Sequence, residues 1–397
     1  MTRWRALALL SAAELAGMSL WFGASAAAPA LAARWGLAAG DAGRLTLAVQ
    51  LGFVAGTLAS AIANVSDVFP PRRVFAVSAV LAAIANAAFA LASAGPSAGI
   101  ALRFATGFFL AGVYPPGMKM MATWFREGRG MALGVLIGAL TLGKASPYLV
   151  NAIGSSDWRV NLVALSILAA AGGGIALFVG EGPFSAGSAP FDPRQIAQVF
   201  RNRGVRLASF GYFGHMWELY AMWTWIPVMI RASFAARGSA SGLAEAGAFL
   251  VIGAGALGCV AAGIAADRVG RTAVASAAMV VSGACCLVVG LFFGGSPAAL
   301  LLITLIWGAS VVADSAQFSA CVTELSDPRY VGTALTLQIC LGFLLTTASI
   351  ELIGKLHETV GWRWAFAALA PGPALGVVAM MRLRSLPEAA KIAQGRR

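Results

Sequence analysis

Gly263-Ile264-Ala265-Ala266-Asp267-Arg268-Val269-Gly270-Arg271 is a short charged joint between two long apolar stretches, 242–266 and 272–293. A helix that crosses a bilayer needs roughly 20 consecutive, mostly apolar residues, and both flanks of this joint provide them. Working outward, similar stretches recur near 6–32, 42–65, 73–94, 98–122, 130–152, 160–180, 205–231, 297–322, 331–354 and 361–381. The 397-residue chain is 59% hydrophobic and 11% charged, with a mean hydropathy of +0.81. No water-soluble core of this length could bury so much apolar surface, so the solvent is lipid and the expected fold is an all-α polytopic membrane protein with twelve transmembrane helices.

The first stretch follows Arg3 and Arg5 and is rich in alanine, as a signal peptide would be. It is too long for a signal h-region and carries Glu14 in its middle, so it is expected to remain as the first span. The formal net charge of +12 does not form a basic patch with interleaved aromatics, so nucleic acid is not an expected partner. The charge follows topology instead: alternate loops, from Arg3 and Arg5 through Arg72, Arg73, Arg126, Arg129, Arg194, Arg268 and Arg329 to the basic tail, hold 18 of the 28 lysines and arginines. The positive-inside rule then puts both termini in the cytoplasm, with the chain in the inner (plasma) membrane. Cys259, Cys285, Cys286, Cys321 and Cys340 fall in apolar stretches of the second half and read as small core residues, not as disulfides or metal ligands.

The one long polar interruption, 181–203, contains Pro183, Pro190 and Pro193 among Gly and Ser. It is expected to be a cytoplasmic linker between an N-terminal half, 1–180, and a C-terminal half, 204–397. Two patterns recur across it. Asp157-Trp158-Arg159 is echoed by Gly361-Trp362-Arg363-Trp364 at an offset of 204, and Asp67 with Arg72 and Arg73 by Asp267 with Arg268 and Arg271 at an offset of 200. Both pairs occupy matching places in the helix order, as duplicated six-helix halves would. Parallel repeats of this kind place a substrate site at their interface near the midplane.

The 263–271 joint resembles the G-x-x-x-D-R-x-G-R loop signature of the major facilitator superfamily. The similarity extends over essentially the whole chain and includes an Arg103-x-x-x-Gly107 pattern like the family's fourth-helix motif. The first-half counterpart, Asn64 to Arg73, lacks the glycines. The resemblance implies two pseudo-symmetric six-helix halves with spans one, four, seven and ten around a central cavity. It also implies a latch made by Asp67, Arg72, Arg73, Asp267, Arg268 and Arg271 that holds the halves together on the cytoplasmic side when the cavity faces outward.

Ionisable groups inside the spans are functional candidates, because each costs on the order of 3 kcal/mol or more in hydrocarbon. Glu14 shares a face with Met18, Trp21 and Ser25 and is either a proton site or half of a structural ion pair. The seventh span is densest in polar and aromatic side chains: His215 and Glu218 can meet side by side to relay protons or bind substrate. Trp217, Tyr220 and Trp225 would add aromatic surface, Trp223 an interfacial belt residue, and Pro227 a kink for gating. Asp314, on a face with Trp307, Ser310 and Gln317, is a partner for a first-half cation. Lys144, in line with Thr141, Tyr148 and Asn151, either attracts an anion or neutralises Glu14, Glu218 or Asp314. Arg103 reads as an anion or proton-coupling residue by resemblance, or as a snorkelling interfacial arginine. Tyr114 follows it, Lys119 is expected to snorkel, and Gln50 and Gln338 are polar contacts. Gly130, Gly134 and Gly138 form a small-residue stripe for close helix approach. Antiporters of the superfamily continue such a stripe into G-P-x-x-G-G, and this chain reads Gly143-Lys144-Ala145-Ser146-Pro147.

The expected function is secondary transport of a small organic solute, with an anion favoured by Arg103 and Lys144, driven by protons through alternating access and carried out by a monomer. No phosphate loop of the G-x-x-x-x-G-K-[ST] form supports ATP use, and no enzyme activity, cofactor or metal is expected. A drug/proton antiporter for hydrophobic or cationic compounds is the alternative within transport, and a non-transporting membrane sensor the alternative outside it. A nitrate-type porter is disfavoured, since spans two and eight lack buried arginines.

Overall fold

A computed structural model describes residues 1–36, 41–153, 157–184, 192, 200–238, 241–327 and 331–396, without the side chains of residues 41, 42, 66, 67 and 241. Most of the proposed linker, including Pro190, Pro193 and Arg194, lies outside the described residues, as does Arg329. All twelve apolar stretches are helical. Ten of them are long and apolar enough to cross a membrane as they stand. The other two depart for different reasons. The first breaks after Arg3–Met18 and resumes as Gly23–Ala26 and Ala28–Trp35. The seventh runs without interruption over Arg203–Ala235, through Pro227, and is the span that carries His215, Glu218 and Arg231.

Two further spans break at matching points. The fourth divides into Pro96–Leu110 and Tyr114–Trp124, and the tenth into Pro297–Val311 and Ser315–Leu325. Broken backbone at membrane depth frees carbonyls and amides that lipid cannot satisfy, so it is tolerated only where protein surrounds it. All the breaks lie in the protein interior: Ser19, Trp21, Phe22, Val113, Val312 and Asp314 are buried.

The packing repeats six spans on. Spans one and six, three and six, and two and four pack together, as do seven and twelve, nine and twelve, and eight and ten. The repeat reaches individual atoms. A Cβ on Gly52 would collide with the Phe104 carbonyl and one on Gly107 with the Val49 carbonyl, joining spans two and four. Gly258 against the Ala309 carbonyl and Gly308 against that of Val251 do the same for spans eight and ten. Small residues are how membrane helices bring backbones this close. Gly308→Leu is therefore expected to destabilise the protein by at least the ~1–3 kcal/mol typical of overpacking. A lowered melting temperature of the purified protein in detergent reports it, and an unchanged one would mean that spans eight and ten can part freely.

The two sets of six meet mainly through spans five and eight and spans two and eleven. The Gly130, Gly134 and Gly138 stripe is the seat for the eighth span: a Cβ on Gly134 would stand 2.5 Å from the Cys259 carbonyl oxygen, and one on Gly138 3.0 Å from that of Ala256. Both termini lie at the same face. The Arg3 guanidinium is 5.8 Å from the Phe125 ring, Arg396 donates to the Asp267 carbonyl, and Asp267 in turn touches the start of the fifth span.

Candidate functional site

Glu14, Gln50, Arg103, Lys144, His215, Glu218, Asp314, Gln317 and Gln338 are each at most 2% exposed. The interior is shut from both faces, and what separates these groups is whether the protein satisfies them. A buried polar atom without a partner costs about 1–3 kcal/mol, so a saturated group belongs to the scaffold and an orphaned one marks where something else binds.

Arg103 is held at both terminal nitrogens, and only its Nε lacks a partner. Its guanidinium donates to Asn86 Oδ1 at 3.0 Å, to the Leu20 carbonyl at 3.1 Å and to the Trp21 carbonyl at 2.5 Å, with Phe89 beside it. Leu20 and Trp21 form the break in the first span, so the arginine supplies the donors that the missing helical turn cannot. Buried at 1% exposure, it is not a snorkelling arginine, a correction to that reading of the sequence, and its held terminal nitrogens favour a scaffold role over anion binding. Asn151 helps in the same way, donating to the Ala26 carbonyl at 2.7 Å.

Glu218 is saturated, and it does not face His215. Its carboxylate accepts from Ser282 at 2.9 Å, Cys286 at 3.1 Å and Trp307 Nε1 at 2.5 Å, inside spans nine and ten. His215 instead reaches across to Asp314 in the tenth span, with Nδ1 2.8 Å from Oδ1, at an angle that gives neither atom a well-aligned hydrogen bond. Tyr212 and Phe318 pack against the imidazole. The side-by-side pairing expected from spacing is thus replaced by a pairing between helices, and Asp314's partner is a second-half histidine rather than a first-half cation. Trp217 turns away from the centre, donating to the Ala368 carbonyl of the twelfth span at 3.2 Å.

Lys144 is at the centre of the remaining groups. Its ammonium lies 4.1 Å from the Trp21 ring, 4.6 Å from Tyr220 and 5.3 Å from Trp223, and it donates to the Tyr220 hydroxyl. It forms no ion pair among the described residues. Phe53 and Phe343 close the cluster: Phe343 is 4.5 Å from Phe53, 5.0 Å from Tyr220 and 5.8 Å from Trp21. Trp223, expected in an interfacial belt, is a buried wall of this cage. The cage draws on spans one, two, five, seven and eleven, so it joins both sets of six.

Beside it is Glu14, close enough for Lys144 to act on it electrostatically but with neither carboxylate oxygen hydrogen-bonded. Gly117 on the fourth span makes room for it, since a Cβ there would collide with Oε2. Tyr114, half-buried, lies in range of Glu14's charge. The amides of Gln50 and Gln338, Gln317 Nε2, the Tyr148 hydroxyl and the indole nitrogens of Trp21 and Trp223 are likewise without partners. Tyr148 lies against Arg231, which is 2.5 Å from Glu245.

Both ends of the interior are closed. At the face away from the termini, Trp225 Nε1 donates to the Ile350 carbonyl at 2.8 Å, its ring packs with His357, and a Cβ on Gly43 of the second span would be 3.1 Å from it. Trp225 therefore closes that end rather than lining the centre. At the terminal face the Asp267 carboxylate accepts from the Met131 N–H at 3.1 Å. That N–H is one of the donors left over at the start of Arg129–Ile153, where the helix dipole favours a negative charge. Arg271 pairs with Glu324 at 2.8 and 3.1 Å and donates to Gln317 at 3.3 Å. Arg72, Arg73 and Arg268 are exposed, and the Asp67 side chain lies outside the described residues.

Glu324 went unrecognised in the sequence, where a lone carboxylate at a helix end gives no sign of its partner. An Asp267→Ala variant is expected to lose a helix-capping contact of about 0.5–2 kcal/mol, and so to speed alkylation of Cys321 from the terminal face roughly 2- to 30-fold. An unchanged rate would show that Asp267 does not hold this face shut.

The family model of the Major Facilitator Superfamily matches residues 9–348 and 208–397. The sequence matches no curated protein. Among solved structures, the fold is similar to a D-xylose-proton symporter, with a TM-score of 0.74 at 16% identity over 97% of this chain and 98% of that one. It is also similar to a nucleoside transporter, with a TM-score of 0.70 at 15% identity over 95% and 99%. With its repeated helix packing and its charged interior closed at both ends, this multi-pass membrane protein belongs to the Major Facilitator Superfamily.

Proposed function

We propose that the chain is a proton-coupled secondary transporter of a small organic solute, working as a monomer by alternating access between two halves, 1–180 and 204–397. The observation that carries this reading is Glu14: a carboxyl group deep in the protein that, among the described residues, has no hydrogen-bond partner and stands beside a lysine with no ion pair. Protonation is the simplest way for such a group to shed an uncompensated charge, and a proton that comes and goes there links the site to a proton gradient. His215 and Asp314 form a second exchangeable pair. The contacts of Trp225 at one end and of Asp267 at the other would open in turn, exposing the Lys144 cage to opposite sides.

The excess of basic residues on alternate loops favours a plasma-membrane orientation with both termini cytoplasmic. Transporters of xylose and of nucleosides among the structural neighbours are in keeping with a small organic cargo. Lys144 favours an anion. The aromatic cage gives the alternative, export of a hydrophobic cation, its one specific support.

The test is the purified protein in proteoliposomes containing a pH-sensitive dye, offered acids, sugars and cationic dyes. The expected result is solute-dependent proton movement without ATP. Solute flux that persists unchanged when an ionophore collapses the pH gradient would overturn proton coupling.

A further inference from the structure

Around the Lys144 ammonium, beside the unpaired Glu14 carboxyl, the walls of the aromatic cage carry donors lacking an acceptor. An ammonium has three N–H bonds, and among the described residues the one acceptor it finds is the Tyr220 hydroxyl. The indole N–H groups of Trp21 and Trp223, whose rings wall the same cage, are buried and donate to nothing. A cluster of donors around a positive charge in a water-excluded space is complementary to an oxyanion. With Glu14 protonated, as the transporter reading has it in one half of the cycle, Lys144 is the one cation that walls the cage. Arg103 is held by two carbonyls and Asn86, and Arg271 by Glu324, so a second negative charge on the ligand would be buried without compensation. Phe53, Phe343 and Tyr220 continue the cage as an unbroken aromatic wall.

Building on the transporter reading above, we infer that the solute is a monocarboxylate with a ring-shaped apolar body: its carboxylate is bound by Lys144 and the Trp21 and Trp223 indoles, and its ring lies against Phe53, Tyr220 and Phe343. The ammonium already fills the cation position of the aromatic cage, so an organic cation would have to displace it against like charge. Gln50, three residues from Phe53 and on the same helical face, and Gln338 keep free amides to meet polar substituents on that body.

The test is scintillation-proximity binding of radiolabelled benzoate to the purified protein in lipid nanodiscs, with no gradient applied. Cyclohexanecarboxylate should compete, and phthalate, inorganic phosphate and benzylamine should not. Lys144→Ala should weaken benzoate binding roughly 10- to 100-fold, the range for a buried hydrogen bond to a charged group. Trp21→Phe, which keeps the ring and removes the N–H, should weaken it about 5-fold and guards against an unfolded lysine variant. Absence of benzoate binding, equal competition by phthalate or phosphate, binding of benzylamine in its place, or unchanged affinity in both variants would each overturn the inference. Gradient-driven flux of some other solute in proteoliposomes, without benzoate binding, would sink this inference alone. Benzoate binding without any gradient-driven flux would instead sink the transporter reading.

Discussion

Glu14→Gln is expected to abolish solute accumulation driven by a pH gradient while leaving exchange of labelled for unlabelled solute at equal pH intact. Glutamine keeps the size and shape that Gly117 accommodates but can neither gain nor lose a proton. Because neither Glu14 oxygen is hydrogen-bonded, the substitution breaks no contact, and the cost in folding should be small. If the carboxylate were instead half of a structural ion pair with Lys144, the variant would strand a buried ammonium and lower stability by about 3–5 kcal/mol. The pair of measurements, accumulation and exchange, separates these cases. Retained gradient-driven accumulation would remove Glu14 from coupling.

Arg103→Ala should be the most damaging single change, and through folding rather than recognition. It leaves the Trp21 carbonyl and Asn86 Oδ1 without their donor and the Leu20 carbonyl with only the Gly23 N–H, at about 1–3 kcal/mol for each buried orphan. The expected outcome is little folded protein by fluorescence-detected size exclusion and a markedly lower melting temperature in what remains. Arg103→Lys should recover little, since one ammonium cannot spread over three acceptors in the planar fork that a guanidinium offers. An anion-binding role predicts the reverse: a well-folded alanine variant with weak binding, and partial rescue by lysine. Such a result would refute the scaffold role.

The fold was legible because lipid imposes a one-dimensional rule. Apolar runs of spanning length, charge on alternate loops, and two motifs repeated about half a chain apart leave few architectures open. Glu14 and Lys144 were legible for the same reason, as charges at forbidden depth. Partners were not. The spacing of His215 and Glu218 showed that they share a helical face, but not how that helix is rotated against spans nine and ten, and the rotation sends Glu218 to Ser282, Cys286 and Trp307 and His215 to Asp314. Arg103 could not be read because its partners are backbone carbonyls exposed by a break that leaves no proline or other clear breaker at Ser19–Phe22. Trp223 misled because depth along a helix does not distinguish lipid from a neighbouring half as its surroundings.

The break in the first span separates two jobs. Glu14 belongs to the segment Arg3–Met18, whereas Trp21 lies in the joint beyond it. One continuous rod would carry any displacement of Glu14 rigidly to the wall of the Lys144 cage. A jointed rod transmits only what its pin allows, and the pin is a side chain of another helix, Arg103, steadied by Asn86 of a third. The fourth span then serves as the fulcrum of a lever, and in the proposed transport cycle the stiffness of that bearing would govern fidelity: how seldom a proton slips through without its cargo.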